Sequence, residues 1–247
     1  MIDAFLMMGQ SNMSGRGALS DLPEINNPHV FALRDKGWEV AKEPVVQDKS
    51  IAGAGMGTAF GAYINALTGA DVGLIPCSMG GSALDEWQPG RELFEKAAAK
   101  SEAAIKSGAR IVGILWHQGE HDSEHAHLAY TYMQRFEHMR DEFERRLKQI
   151  ANEMGKPELV VSPLPVIAGE LGEYLSEFPT SKYHDEVNRQ LHMASAKAPQ
   201  YACVSAHGLE DRGDKLHFSA KAQRILGLRY ACAWAEVAEK VGIKLNE

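Results

Sequence analysis

The sequence predicts an α/β protein, a three-layer α/β/α sandwich around a five-stranded parallel sheet. Short apolar segments, rich in leucine and β-branched residues, alternate along the chain with longer segments of helical periodicity. Strands that are apolar at nearly every position are typical of a parallel sheet with both faces covered. The alternation predicts βαβ units, in which each helix crosses over one face of the sheet.

Five apolar segments are the predicted strands. In chain order they are Ala4–Met8, Asp71–Pro76, Ile111–Trp116, Leu159–Pro163 and Tyr201–Ser205. The first of them leads into Gly9, where the backbone can turn sharply before it reaches Ser11. A side chain at the carboxyl end of a strand lies where open α/β sheets bind their ligands.

Five further segments have the apolar spacing of amphipathic helices. The predicted helices are Gly57–Thr68, Arg91–Gly108, Ser123–Gly155, Ser181–Ala198 and Ala220–Val241. A glycine ends or directly follows several of them, as is common at helix C-termini.

Two segments, residues 15–56 and 163–180, match neither pattern and are rich in proline and glycine. A long segment without regular structure inside a compact domain is usually functional or poorly ordered. Because residues 15–56 directly follow Ser11, we expect them to form one wall of a site. The chain contains neither an internal repeat nor a low-complexity linker, so we interpret residues 1–247 as one domain.

Composition narrows the class of protein. The 247 residues carry a net charge of −7 and lack the basic, aromatic-rich patch of nucleic-acid-binding proteins. No apolar run approaches the roughly 18 residues of a membrane-spanning helix, and the N-terminus lacks the positive region of a signal peptide. The three cysteines, Cys77, Cys203 and Cys232, are widely spaced, which favours free thiols in a reducing compartment. We therefore expect a cytoplasmic protein; the sequence gives no indication of its oligomeric state.

Four segments combine the residue types that acyl transfer requires. Residues 9–13 read Gly-Gln-Ser-Asn-Met, and residues 76–87 contain Ser-Met-Gly-Gly-Ser and end in Asp-Glu-Trp. Residues 116–122 read Trp-His-Gln-Gly-Glu-His-Asp, and residues 214–217 read Asp-Lys-Leu-His. Together they supply a nucleophilic hydroxyl, a flexible Gly-Gly backbone, a side-chain amide and an Asp/His pair.

The four segments resemble, in the same order, the sequence blocks of SGNH hydrolases, in the branch of sialate O-acetylesterases and related carbohydrate acetylesterases. The third block has glutamine, Gln118, where the wider superfamily has asparagine. This block departs from the family pattern at one position. It often reads Gln-Gly-Glu-Ser-Asp, whereas here His121 replaces the serine and Asp122 is retained. The resemblance covers residues 9–217 and implies a flavodoxin-like sheet.

The resemblance also implies a catalytic triad. Ser11 is the expected nucleophile, His217 the general base, and Asp214 the acid that orients the imidazole. Considered singly, Asp214 would be an ordinary turn residue and His217 a helix-entry residue. Their combination with Ser11 favours catalysis, because a serine hydroxyl needs a base within hydrogen-bond reach.

Three groups are the expected donors to the oxyanion of the tetrahedral intermediate. They are the backbone N–H groups of Ser11 and Gly81 and the side-chain amide of Gln118. Gly80 is the alternative backbone donor at the second block, and glycine suits this role because it leaves the approach open.

Four further residues are candidates for substrate binding: Gln10, Arg16, Trp87 and Glu120. The ring of Trp87 is of a kind that stacks on sugars, whereas Trp116 is expected in the core. Glu120 is expected chiefly to orient its loop, because a carboxylate facing an oxyanion would oppose it. The expected substrate is an acetylated carbohydrate, of the sialic acid or xylan type, and no cofactor or metal is implied.

A zinc metallohydrolase is the first alternative. Residues 117–121 match the signature H-x-x-E-H, and His125 and His127 follow closely. The signature requires an α-helix to bring both histidines to one face. The apolar residues 111–116 instead predict a strand, and Gly119 disfavours a helix by about 1 kcal/mol relative to alanine.

A non-catalytic sugar-binding module is the second alternative. Such a module would keep a pocket and its aromatic residues but would have no need for Ser11 together with His217. The glycine-rich residues 53–57 could also cradle a phosphate, yet they contain no Walker lysine and do not match G-x-G-x-x-G. We interpret them as the start of a helix.

Overall fold

Seven strands form one sheet in the computed structural model, which describes residues 1–243. The strands are β1 (Ile2–Gly9), β2 (Val30–Arg34), β3 (Gly37–Val40), β4 (Asp71–Pro76), β5 (Arg110–His117), β6 (Val166–Gly169) and β7 (Tyr201–Val204). Their order across the sheet is β3-β2-β4-β1-β5-β6-β7. Neighbouring strands are parallel except β2 and β3, which form an antiparallel hairpin at one edge.

Within residues 1–243, seven α-helices accompany the sheet. They are α1 (Ser11–Ser14), α2 (Gly57–Thr68), α3 (Glu92–Lys106), α4 (Ala126–Tyr130), α5 (Tyr132–Glu153), α6 (His184–Ser195) and α7 (Ala220–Val241). Helices α2 and α7 pack together on one face of the sheet, and α3, α5 and α6 pack on the other. The predicted α/β sandwich is therefore confirmed.

Two predictions about the strands need correction, because the sheet has seven strands rather than five. The hairpin of β2 and β3 lies within residues 15–56, where no element was predicted. The predicted strand Leu159–Pro163 is wrong: only Val160 makes an isolated bridge there, with Ile111, and β6 begins after Pro165. Proline lacks the N–H group that a central strand needs, so continuous pairing starts only after Pro163 and Pro165.

The predicted helix Ser123–Gly155 is interrupted. Helices α4 and α5 are separated at Thr131, whose hydroxyl donates a 2.7 Å hydrogen bond to the carbonyl of His127. A threonine that bonds back to the carbonyl four residues earlier tends to bend a helix. Helices α2 and α7 have the predicted bounds.

The packing of β1 fixes the place of the site. On one face Phe5 makes edge-to-face contacts with Phe60 of α2 and Trp234 of α7, at centroid distances of 4.8 and 5.0 Å. At its carboxyl end Gly9 pairs with His117 of β5 so closely that a Cβ on Gly9 would lie 2.1 Å from the His117 carbonyl oxygen. The loops that follow β1 and β5 therefore begin side by side.

The chain crosses the sheet in opposite directions from β1, first toward β4 and later toward β5. Such a switch point, at the carboxyl ends of parallel strands, is where open α/β sheets bind ligands. Among residues 1–243, no helix combines the length and the apolar composition that a bilayer crossing would need.

Candidate active site

Ser11 is the first residue of α1 and is buried at the carboxyl end of β1. The turn before it is tied to both neighbouring strands: the N–H of Gln10 donates to the His117 carbonyl (2.9 Å), and the carbonyl of Gly9 accepts from Met79 N–H (2.9 Å). These bonds hold the serine by backbone contacts on both sides.

His217 and Asp214 lie beside this serine. The distance from Ser11 Oγ to His217 Nε2 is 3.1 Å, and that from His217 Nδ1 to Asp214 Oδ2 is 2.8 Å. Both distances are within hydrogen-bond reach. The structure thus brings together the three predicted catalytic residues in the order hydroxyl, imidazole, carboxylate.

The Asp214 carboxylate is held by its own loop. Its Oδ1 accepts the N–H groups of Leu216 (3.0 Å) and His217 (2.8 Å), while Arg212 Nε lies 3.1 Å from Oδ2. Partial burial alone would raise the pKa of Asp214, but the hydrogen bonds from His217 and Leu216 outweigh it and lower this pKa. The carboxylate therefore stays ionised opposite the imidazole.

The loop that carries this pair is closed by short-range contacts. Asp211 Oδ2 accepts the N–H groups of Gly213 (2.7 Å) and Lys215 (2.8 Å), and Lys215 has a φ of +57°. The N–H of Arg212 donates to the carbonyl of His217 (2.8 Å). An aspartate that accepts backbone N–H groups two and four residues ahead is a typical organiser of tight turns.

Asn12, which the sequence analysis did not single out, joins the serine to the acid–base loop. Its Nδ2 donates to the Leu216 carbonyl (3.1 Å), and its Oδ1 accepts from Phe218 N–H (3.1 Å). These two contacts bracket His217. The only signal in the sequence was the position of this amide directly after Ser11.

Glu120 is buried behind Asn12 and accepts a short hydrogen bond from Asn12 Nδ2 through its Oε1. Burial raises the pKa of Glu120 to about 7. The neighbouring His117, whose Nε2 lies 3.9 Å from Glu120 Oε1, has a pKa lowered by burial to about 3 and is neutral. Glu120 therefore supports Asn12 from inside the protein.

The Gly80–Gly81 turn distinguishes the two candidate backbone donors of the second block. The N–H of Gly80 donates to Asp48 Oδ2 at 2.7 Å, so it is already engaged. The N–H groups of Gly81 and Ser11 donate to no acceptor among residues 1–243. Gly81 has a φ of +84°, and a Cβ there would meet only Lys49 Nζ, at 3.8 Å.

Gln118 occupies a different position from the expected one. Its side chain is fully buried, and Nε2 donates to Asp122 Oδ2 (2.7 Å) and the Ser82 carbonyl (3.1 Å). Nε2 also lies 3.2 Å from Gln10 Oε1, and Tyr132 Oη donates to Gln118 Oε1 (2.8 Å). Since the amide has only two N–H bonds, both are engaged by protein acceptors, and the side chain braces the second block.

Three of the predicted substrate-binding residues lie inside the protein. Trp87 is fully buried, packs edge-to-face on Trp116 at 5.5 Å and donates to Ser82 Oγ (3.0 Å). Gln10 and Arg16 are buried as well, and Arg16 is paired with an acidic side chain. Tertiary packing thus encloses the Trp87 ring, which is predicted to stack on a sugar, together with the other two candidates.

The helix that the zinc signature requires is not formed. His117 ends β5, and the residues after it lie in a loop. His117 Nδ1 is engaged with Tyr230 Oη at 3.0 Å, and the side chains of His125 and His127 are on the surface. Within the part of the chain that the structure describes, no three His, Cys, Asp or Glu side chains are grouped as metal ligands.

Comparisons with known proteins relate the chain to carbohydrate esterases. A model of the SASA family, described as carbohydrate esterase, sialic acid-specific acetylesterase, matches residues 1–236. A probable carbohydrate esterase of Arabidopsis thaliana is 30% identical over 251 residues, covering 93% of this chain and 89% of that protein. A solved structure of an Arabidopsis thaliana protein superposes with a TM-score of 0.79 at 28% identity, covering 94% of this chain and 97% of that one.

Two more distant structures share the fold. The structure of NanS superposes with a TM-score of 0.77 at 17% identity, covering 97% of this chain and 98% of that one. A carbohydrate acetylesterase from Xanthomonas citri gives a TM-score of 0.63 at 19% identity, covering 96% of this chain and 57% of that one. The family match over nearly the whole chain, with the Arabidopsis relative, shows that the protein belongs to the SASA family of carbohydrate esterases.

Proposed function

We propose that this esterase removes O-acetyl groups from a carbohydrate by a serine mechanism with Ser11, His217 and Asp214 as the triad. The observation that carries the proposal is the continuous hydrogen-bonded chain from Ser11 Oγ through the imidazole to Asp214, with distances of 3.1 and 2.8 Å. The bond from Nδ1 to the carboxylate selects the tautomer in which Nε2 accepts the serine proton.

In the first half-reaction, Ser11 Oγ attacks the acetyl carbonyl carbon while His217 Nε2 accepts the hydroxyl proton. Asp214 stabilises the imidazolium that forms. His217 then gives the proton to the sugar oxygen as the ester C–O bond breaks, which leaves acetyl-Ser11 and a free sugar hydroxyl. In the second half-reaction, water attacks the acetyl group, His217 accepts the proton of that water, and acetate leaves as Ser11 regains its proton.

The backbone N–H groups of Ser11 and Gly81 are the proposed donors to the oxyanion. Both groups are without a protein acceptor in residues 1–243, which supports this assignment. Donors that are fixed before the reaction stabilise the developing negative charge without reorganisation. Gln118 supports the same hole by holding the Ser82 carbonyl, and its amide would act directly only if one of its N–H bonds left a protein acceptor.

The charge state of His217 suits a general base. Burial lowers the pKa of His217, and the Asp214 carboxylate opposes this effect without cancelling it. The imidazole is therefore neutral at neutral pH and able to accept a proton.

The proposed substrates are acetylated sialic acids or acetylated xylan-type sugars. The description of the family supports the first class, and the Xanthomonas relative supports acetylated carbohydrates in general. We place the enzyme in the cytoplasm, which agrees with Cys77, Cys203 and Cys232 as free thiols.

The test is a comparison of Ser11→Ala with Ser20→Ala, which changes a surface serine. We expect wild-type enzyme and Ser20→Ala to hydrolyse aryl acetates and one of the two sugar classes. Ser11→Ala should lose at least about three orders of magnitude in kcat, and an organophosphate should modify Ser11 in the wild type, as seen by mass spectrometry. More than about a tenth of the activity in Ser11→Ala would contradict the mechanism.

Metal removal is the second test. No step of the proposed mechanism uses a Lewis acid, so exhaustive chelation should leave the rate of aryl acetate hydrolysis unchanged. Loss of activity on chelation, restored by added zinc, would favour the metallohydrolase alternative. The control is organophosphate labelling of Ser11 in the chelated protein, which should proceed as before.

A further inference from the structure

The segment of residues 15–56 contributes the buried carboxylate of Asp48 beside the site. Asp48 forms a two-pronged ion pair with Arg16, with Nη2–Oδ2 and Nη1–Oδ1 distances of 2.7 and 3.1 Å. Each side chain is 1% exposed. Burial by itself would raise the pKa of Asp48, but Arg16 and the N–H of Gly80 outweigh it and lower this pKa. The Asp48 carboxylate is therefore ionised inside the protein.

This pair lies directly against the second block. Asp48 Oδ2 accepts the N–H of Gly80 at 2.7 Å. A Cβ on Gly80 would lie 2.4 Å from Arg16 Nη2 and 2.8 Å from Asp48 Oδ2, so only glycine lets the pair approach the backbone this closely. With the Gly80 N–H engaged, the next N–H along the chain, that of Gly81, is left for another acceptor.

Arg16 also holds the loop that follows the nucleophile. Its Nη1 donates to the Gly15 carbonyl at 2.8 Å, and Ser14 Oγ is 2.9 Å from Ser78 Oγ of the second block. The ion pair thus connects two loops, one after β1 and one after β4, that contribute Ser11 and Gly81. The pair thus lies between the loops that carry the two proposed oxyanion donors.

We propose that Arg16 and Asp48 are positioning residues of the esterase site, which fix the Gly80–Gly81 peptide so that the Gly81 N–H meets the oxyanion. The proposal rests on the proposed role of Gly81. Neither side chain touches the substrate. Stability alone does not explain the pair, because a buried ion pair can often be replaced by well-packed apolar residues at little cost.

The chain offers a matched control in a second buried ion pair. Glu43, from the same segment, is bound through two contacts of 2.7 Å to Arg224 of α7. Glu43 and Arg224 make no contact with the Gly80–Gly81 turn. Replacing both members of either pair by apolar residues removes the same kind of interaction, but only the Arg16–Asp48 pair holds the turn.

The experiment compares Arg16→Met/Asp48→Leu with Glu43→Leu/Arg224→Met. We expect similar melting temperatures for the two double variants. The first should lose about ten- to hundredfold in kcat for an aryl acetate with little change in KM, less than the loss of a whole donor. The control should keep its kcat. Asp48→Asn, which retains one acceptor for the Gly80 N–H, should lie between them and serves where a double variant fails to fold.

A second readout separates positioning from general loosening. Phenylboronic acid forms a tetrahedral adduct on a catalytic serine, so its inhibition constant should weaken in Arg16→Met/Asp48→Leu by a factor similar to the loss in kcat. Unchanged kcat and inhibition in that variant, or equal losses in both double variants, would overturn the proposal. Failure of the proposed function is a separate result, since it would appear in the wild type as an organophosphate that leaves Ser11 unmodified.

Discussion

The two sides of the proposed catalytic site are built in different ways. Ser11 is held through residues that are distant in sequence. The N–H of the preceding residue donates to the His117 carbonyl, and the side chain of the following residue, Asn12, contacts the backbone of residues 216 and 218. Asp214 and His217 are held mainly by residues of their own loop, and the Asp214 side chain is 34% exposed. Contacts between distant parts of the fold therefore position the proposed nucleophile, whereas mainly local contacts position the proposed acid and base.

The difference has consequences for substitutions. A change on the nucleophile side removes buried contacts and should alter both stability and activity. A change on the acid–base loop removes exposed, short-range contacts and should alter activity with little effect on stability. Asn12 connects the two sides, because it follows Ser11 and its side-chain amide contacts the backbone on either side of His217.

The largest effect is expected within the acid–base loop. His217→Ala should lower kcat/KM for an aryl acetate by on the order of 10⁴ or more, because it removes the group that accepts the Ser11 proton. Asp214→Asn should cost less than the ~10⁴ known for a protease triad, since backbone contacts of the loop also orient His217. Neither change should move the melting temperature by more than a few degrees.

The pH profile is the control for this prediction. The rate should rise with pH as His217 loses its proton, and the midpoint of kcat/KM should fall below the ordinary imidazole pKa, because burial lowers the pKa of His217. Asp214→Asn should lower the midpoint further, because it removes the carboxylate that favours the imidazolium. Equal losses for Asp214→Asn and His217→Ala would show that the loop contributes no orientation.

Site residues that belong to local motifs could be predicted from the sequence, whereas those that act through distant contacts could not. Asp214 and His217 are predicted from the resemblance to SGNH hydrolases, whose Asp-x-x-His block is local and therefore visible in the sequence. The apolar strand and the glycine before Ser11 point to a site, and the same resemblance predicts Ser11 as the nucleophile. The roles of Asn12 and Asp48 were not found, because they depend on contacts with partners 204 and 32 residues away in the chain.

The fold divides in a similar way. Helices α2 and α7 have the predicted bounds, since apolar periodicity and end signals are local. The hairpin of β2 and β3 was missed because it lies at the sheet edge and is only partly buried, which weakens its apolar pattern. Its turn signal, Asp35-Lys36-Gly37 between two strand-like runs, could have identified it.

A smaller effect is expected at Gln118, on the nucleophile side. Gln118→Glu places a carboxylate 2.7 Å from Asp122 and beside the Ser82 carbonyl, so it should destabilise the fold by about 1–3 kcal/mol and lower kcat by on the order of 10² or more. Gln118→Ala should also lower kcat, with a smaller loss of stability. Measurements of kcat and of urea unfolding on both variants check this.

The outcome also decides how Gln118 acts. If Gln118→Glu kept near-normal kcat, neither a direct oxyanion contact nor bracing of the second block would be needed. A loss of kcat in Gln118→Ala without any loss of stability would indicate that an amide N–H turns to the oxyanion during the reaction. A matched control is Gln149→Ala, since Gln149 is on the exposed side of α5 and its amide donates a hydrogen bond to Glu153 of the same helix.

The smallest effect is expected in the pH dependence of the free energy of unfolding, to which Glu120 and Asp214 contribute with opposite signs. Burial raises the pKa of Glu120 to about 7, so between its ordinary value and pH 7 the folded state binds more protons than the unfolded state. The free energy of unfolding of the wild type should therefore fall with rising pH relative to Glu120→Gln, by about 1.4 kcal/mol per pH unit at most.

Asp214 has a lowered pKa, so its contribution to stability has the opposite sign: it is present at neutral pH and lost as the pH falls through the lowered pKa. It should also be smaller, because Asp214 is partly exposed. Urea unfolding of the wild type, Glu120→Gln and Asp214→Asn from pH 3 to 8 measures both, and a difference between wild type and Glu120→Gln that is constant with pH would contradict the buried, proton-binding state of Glu120.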